Sequence, residues 1–88
     1  MKVEFEKGFH KIFRKRFSHI TSVQNKFKER TRLFSKDHQN PVLHDHQLVG
    51  TKKHMRSFAI TGDIRVLYYV KNDIAYFVDI GTHNQVYT

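Results

Sequence analysis

The chain of 88 residues carries sixteen Lys and Arg against eight Asp and Glu, no Cys, and a formal charge of +8 before its seven His are counted. That length supports one domain with a single modest core and leaves no room for a second module, and the missing Cys exclude both a disulfide framework and a thiolate metal site. No apolar run approaches membrane-spanning length, and the opening MKVEFEKGFH lacks the uninterrupted apolar segment of a signal peptide, so the chain is expected to be soluble and cytoplasmic with no membrane partner.

Twelve aromatic residues, eight of them Phe, offset a low aliphatic content, because each buried ring removes a large apolar area from water. Lys2 to Phe5 reads as a short opening strand. From about Lys7, Phe9, Ile12, Phe13 and Phe17 recur at helical spacing while His10, Lys11, Arg14, Lys15 and Arg16 fill the other positions, which predicts a helix with a phenylalanine stripe and a basic back. Thr21 followed by Gln24 has the spacing of a capping box and predicts a second helix that turns Ile20, Val23, Phe27 and Phe34 inward. Ser35 to Pro41 is a polar break, Val42 to Leu48 is irregular, and Thr51 to His54 is a basic loop. Met55 to Thr61 alternates weakly, with Phe58 and Ile60 as its inward candidates.

The last third is the most regular. Ile64, Val66, Tyr68 and Val70 alternate with Arg65, Leu67, Tyr69 and Lys71, so a strand there buries one face and sends Arg65 to the other. Lys71-Asn72-Asp73 supplies turn chemistry, after which Ile74, Tyr76, Val78 and Ile80 alternate with Ala75, Phe77 and Asp79. Beyond Gly81 the run from Thr82 to Tyr87 is too polar for a core strand and reads as a fourth, peripheral strand around Asn84 to Tyr87. One strand, two helices, then three or four strands argue an α+β fold: a small, mostly antiparallel sheet with an N-terminal two-helix hairpin on one face.

Several of these residues fit a known pattern. His46-Gln-Leu-Val-Gly50, then Arg56, then Gly62-Asp63-Ile64-Arg65-Val66-Leu67-Tyr68, then Gly81-Thr82-His83 through Val86-Tyr87 resemble the C-terminal half of the RelE/ParE superfamily of bacterial toxins, and within it the YafQ-like mRNA endonucleases. The N-terminal half matches only as two basic helices. The resemblance implies a type II toxin with the RelE/ParE fold over residues 1–88, cutting mRNA on the ribosome without a metal or small-molecule cofactor and silenced by a cognate acidic antitoxin. By motif position it matches His46 to the histidine of the family's H-x-L-x-G segment, His83 to that of its G-T-H run and Tyr87 to its terminal aromatic. Asp63 matches the acidic residue before the middle strand, and Arg65 the arginine found there in the RelE-type branch. The chain departs from the pattern at Ala59, where another histidine is usual, at Ile64, where tryptophan is usual, and before Gly81-Thr82-His83, where an arginine often stands and this chain has Asp79.

The chemistry suits the residue types. Cutting RNA without a metal requires a group to accept the 2′-hydroxyl proton, another to protonate the departing 5′-oxygen, and a cation to stabilise the phosphorane. Histidine titrates near neutrality, and arginine's fork matches two phosphate oxygens. His46 and His83 are therefore candidates for base and acid, Arg65 for the clamp, Tyr87 for orienting the phosphate or stacking on a base, and Asp63 for fixing an imidazole. Lys52, Lys53, Arg56 and Lys71 are candidates for holding RNA backbone, and Tyr69 and Phe77 for stacking if they share the face away from the helices. Plainer alternatives stay open: solvated loop histidines, an ion pair of Arg65 with Asp63 or Asp79, and a Tyr87 that only packs the C-terminus. His44-Asp45-His46 is a weak zinc signal. A ParE-type inhibitor of DNA gyrase, a toxin that acts only by binding, or a small basic RNA-binding domain would have a similar composition.

Overall fold

A computed structural model describes residues 1–87. Its elements are β1 (Lys2–Phe5), α1 (Phe9–Phe17), α2 (Thr21–Lys36), β2 (His46–Gln47), β3 (Arg56–Ala59), β4 (Ile64–Lys71), β5 (Ile74–Thr82) and α3 (His83–Tyr87), with 3-10 turns at Pro41–Leu43 and Gly50–Lys52. The five strands form one sheet in the order β1-β5-β4-β3-β2. β1 runs parallel to β5 at one edge, and the other three pairings are antiparallel. This is the expected α+β layout. Among the described residues no helix is long and apolar enough to cross a membrane.

α1 and α2 cover one face of the sheet through their aromatic stripes. Phe9, Phe34, Phe58, Tyr68 and Phe77 are fully buried together, with the Phe34 and Phe58 rings stacked 4.5 Å apart. Ring packing of this kind adds about 0.5–1.5 kcal/mol per pair beyond area burial, which is how a Phe-rich chain makes a core with few aliphatics. α1 starts after Gly8, whose φ of 94° suits a residue without a Cβ. Ile20 stands just outside α2 and is exposed, contrary to its expected inward place.

The capping expectation at Thr21 is corrected. Thr21 is already inside α2, and the Gln24 amide instead donates to the carbonyls of Phe17 and Ser18 at 2.9 Å each, closing the end of α1. The same spacing is realised at Thr82 and Gln85. Thr82 N donates to Gln85 Oε1 at 2.8 Å and Gln85 N donates to Thr82 Oγ1 at 3.3 Å, a reciprocal cap that starts α3. The segment expected as a fourth strand is therefore a one-turn helix. It packs Val86 on the second face of the sheet, against Leu48, Met55 and Leu67.

The hairpin turn has φ of 53° at Asn72 and 64° at Asp73, as a two-residue turn with both central residues left-handed requires. β4 alternates as expected. β5 does not, because Leu67 faces Asp79 while Tyr68 faces Phe77, which leaves Val78 as an extra residue in a bulge. The bulge reverses the alternation, so Ala75, Phe77 and Ile80 all bury on the helix side. Phe77 thus lies in the core and not beside Tyr69, whose ring stacks on Tyr76 at 5.1 Å.

Candidate functional site

Arg65 sits on β4 opposite Ala59 of β3 and Gly81 of β5, near the end where all three strands finish. Ile64 and Val66 face the helices, so the pleat turns Arg65 to the other side. Its Nη1 is buried and has no hydrogen-bond partner, and among the described residues it makes no ion pair. The alternative pairings are not formed: Asp79 is held by Arg16 at 3.0 Å, and Asp63 lines a cleft beside Arg65 without bridging to it.

Arg65 lines three clefts. One of about 380 Å³ is lined by His46, Leu48, Val49, His83 and Tyr87 as well as Arg65. A second of about 310 Å³ has Asp63, Thr82, His83 and Asn84 around it. The third, about 590 Å³, runs toward α2. His46, His83 and Tyr87 share one cleft with Arg65, and Asp63 shares a second with Arg65 and His83, so Asp63 and Tyr87 lie in different clefts.

α3 brings the imidazole and phenol together. In a strand, residues four apart stand about 13 Å from one another. One helical turn instead sets the His83 and Tyr87 ring centroids 4.5 Å apart. Tyr87 is fixed at its hydroxyl, 2.7 Å from the Oγ of fully buried Ser57, while His83 is exposed. Gly81 permits this placement, because a Cβ there would lie 2.6 Å from Gln85 Oε1, 2.8 Å from Arg16 Nη1 and 2.9 Å from Gln85 Cβ.

His46 is exposed on β2, paired with Ser57 of β3. Its Nδ1 is 2.9 Å from the His44 carbonyl. A carbonyl only accepts, so Nδ1 carries the proton and the Nε2 of the neutral ring is left with a lone pair. The loop before it is anchored by Asp45, whose side chain is 5% exposed and accepts from Arg56 Nε at 2.9 Å and from the Tyr68 hydroxyl. Burial, and then the bond to Asp45, hold the Tyr68 phenol well above its ordinary pKa. Burial lowers the Arg56 pKa, but its bonds to Tyr68 and Asp45 outweigh that and leave it raised.

The four cations singled out from the sequence divide. Lys53 is exposed, with its carbonyl accepting from Gln47 Nε2 at 2.7 Å, while Lys52 donates to the Val86 carbonyl at 2.7 Å and holds the end of α3. Arg56 is committed to Asp45. Lys71 stands at the turn end of β4, six residues from Arg65 and so about 20 Å away along the strand, and the fold does not bring it to these clefts. Sequence reasoning missed Asp45, Ser57, Gln85 and the α2 side of the third cleft. A polar Ser in an apolar strand and a second Thr-x-x-Gln spacing were the available signals. Among the described residues no group of three His, Asp or Glu is placed to hold a metal ion.

A sheet of this order with a helix hairpin on one face is the fold of the RelE/ParE toxins. It is shared with the Escherichia coli DinJ–YafQ complex (23% identity over 99% of this chain and 98% of that one, TM-score 0.73) and with a YoeB/ParE toxin from Agrobacterium tumefaciens (15%, 94% and 99%, TM-score 0.75). A copper-bound mutant toxin from Helicobacter pylori is 30% identical over 98% of each chain, with a TM-score of 0.74. The chain belongs to the YafQ family of bacterial toxins of type II toxin–antitoxin systems, whose model matches residues 1–88. No match was found among curated proteins.

Proposed function

We propose that this toxin is a metal-independent endoribonuclease that cuts mRNA on the ribosome and is silenced by a cognate acidic antitoxin. The observation that carries the proposal is that Arg65, which makes no ion pair among the described residues, lines one cleft together with His46, His83 and Tyr87. Arg65 is half-buried, so its charge is partly screened from water and attracts a phosphate in the cleft more strongly than a fully solvated guanidinium would. The same guanidinium then stabilises the extra charge of a phosphorane.

His46, with its Nε2 lone pair free, takes the proton of a 2′-hydroxyl as the O2′–P bond forms. The P–O5′ bond breaks, and His83 gives a proton to the departing oxygen. The products are a 2′,3′-cyclic phosphate and a 5′-hydroxyl, and no water is consumed. Tyr87, its hydroxyl tied to Ser57, holds the phosphate or stacks on the neighbouring base. Asp63 borders the His83 side and orients that imidazole. Lys53 meets the backbone nearby, while Lys52 and Arg56 serve it through α3 and the Asp45 loop. The DinJ–YafQ toxin–antitoxin complex, a partner-bound relative of the same fold, supports an antitoxin here.

His83→Ala is expected to reduce translation-coupled mRNA cleavage by about 10²–10⁴-fold. Because His83 is exposed, the melting temperature stays unchanged. Gyrase supercoiling is unaffected. Full cleavage by the folded variant removes this mechanism, and gyrase inhibition without cleavage replaces it.

A further inference from the structure

A nuclease that cuts within a polymer must let two strand segments leave the reacting phosphate, and the three clefts that Arg65 lines differ in what they can accept. The cleft with Asp63 presents a carboxylate, which repels phosphate. The cleft with Leu48, Val49 and Tyr87 is largely apolar and suits a base. The third lies between α2 and the end of β3 and is lined by Lys26, Arg30, His44 and His46, with no Asp or Glu. Ala59 and Ile60 line its floor, and on that side no strand flanks them because β2 pairs only with Arg56 and Ser57.

We infer that the RNA strand on one side of the scissile phosphate runs along this third cleft, with Lys26 and Arg30 of α2 binding its backbone phosphates. The inference rests on the ribonuclease reading and adds the path of its substrate. Lys26 and Arg30 are four residues apart on one helix face, with about 6 Å of rise between them, a step comparable with the reach from one backbone phosphate to the next. Both are free to engage. Lys26 meets only Glu29, at 3.4 Å in a surface pair worth about 0–1 kcal/mol, and Arg30 donates through one Nη to the Val42 carbonyl at 3.3 Å. At about 590 Å³ the cleft falls within the roughly 300–1,000 Å³ that ligand sites occupy.

The test measures binding of a single-stranded 2′-O-methyl RNA octanucleotide, which no 2′-hydroxyl attack can cut, across a salt series. Losing two phosphate contacts makes the slope of log K against log salt shallower by about 1.4. A fourfold rise in salt should therefore weaken wild-type binding about sevenfold more than it weakens Lys26→Ala/Arg30→Ala. Lys11→Ala/Lys15→Ala, on the exposed back of α1, should keep the wild-type slope. Equal slopes for wild type and the α2 variant with an unchanged melting temperature, no binding of the probe at all, or loss of affinity for a polyglutamate peptide but not for RNA would each overturn the inference. Mature mRNA cleavage is scored separately: an α2-dependent slope with no cleavage by wild type leaves the groove standing and drops the nuclease, whereas cleavage with equal slopes does the reverse.

Discussion

Asp45 links the core to the site. It accepts from Tyr68, which belongs to the aromatic core under the helices, and from Arg56 on β3, and it stands next to His46 in sequence. A carboxylate with so little exposure is tolerable because both its oxygens are used. Tyr68 holds its proton more tightly in the fold than in the unfolded chain, where the phenol titrates near pH 10. Its contribution is therefore complete below that pH and is lost as pH rises above it. Tyr68→Phe should cost about 1.5–3 kcal/mol at pH 7, the usual worth of a hydrogen bond to a charged group. It should also remove part of the fall in stability between pH 9 and pH 11. Urea unfolding at several pH values checks both, and a wild-type alkaline slope in the variant would contradict the coupling. None of this was legible beforehand, because His44-Asp45-His46 offers an anchor only once Tyr68 and Arg56 are brought to it from more than ten residues away.

At the scale of elements, α3 decides whether a site exists. Gly81→Ala puts a methyl within 3 Å of Gln85 and Arg16, so either the cap of α3 opens or the Arg16–Asp79 pair shifts. Overpacking of this kind costs about 1–3 kcal/mol. Cleavage should fall further than stability does, since the His83–Tyr87 pairing depends on the helix; a variant with wild-type cleavage and lowered melting temperature would show that α3 is not needed. Gln85→Ala, which removes one half of the cap, should cost about 1 kcal/mol without a clash. Periodicity revealed α1, α2 and β4 because their apolar stripes are long and unbroken. It found β5 but not its faces, which one extra residue at Val78 exchanges, and it missed α3, where five polar-rich residues are too few to show a period. Two-residue β2 was invisible for the same reason. The resemblance drawn from Gly81-Thr82-His83 supplied candidate residues there, but not the helix that brings two of them together.

For the molecule as a whole, the sheet carries a large aromatic core on one face and, on the other, a small apolar cluster under α3 at the edge of the clefts that Arg65 lines. The net charge of +8 favours a polyanion as partner, and under the proposed function the residues around Arg65 act on it. The most direct test follows the reacting oxygen. Ribosome-bound mRNA is offered to the toxin either unmodified or with a single 2′-deoxy nucleotide on the 5′ side of the mapped cut, and the new ends are identified. The account predicts a 2′,3′-cyclic phosphate and a 5′-hydroxyl from the unmodified message and an intact message at the deoxy position. Cleavage that proceeds equally well without that 2′-hydroxyl would contradict it.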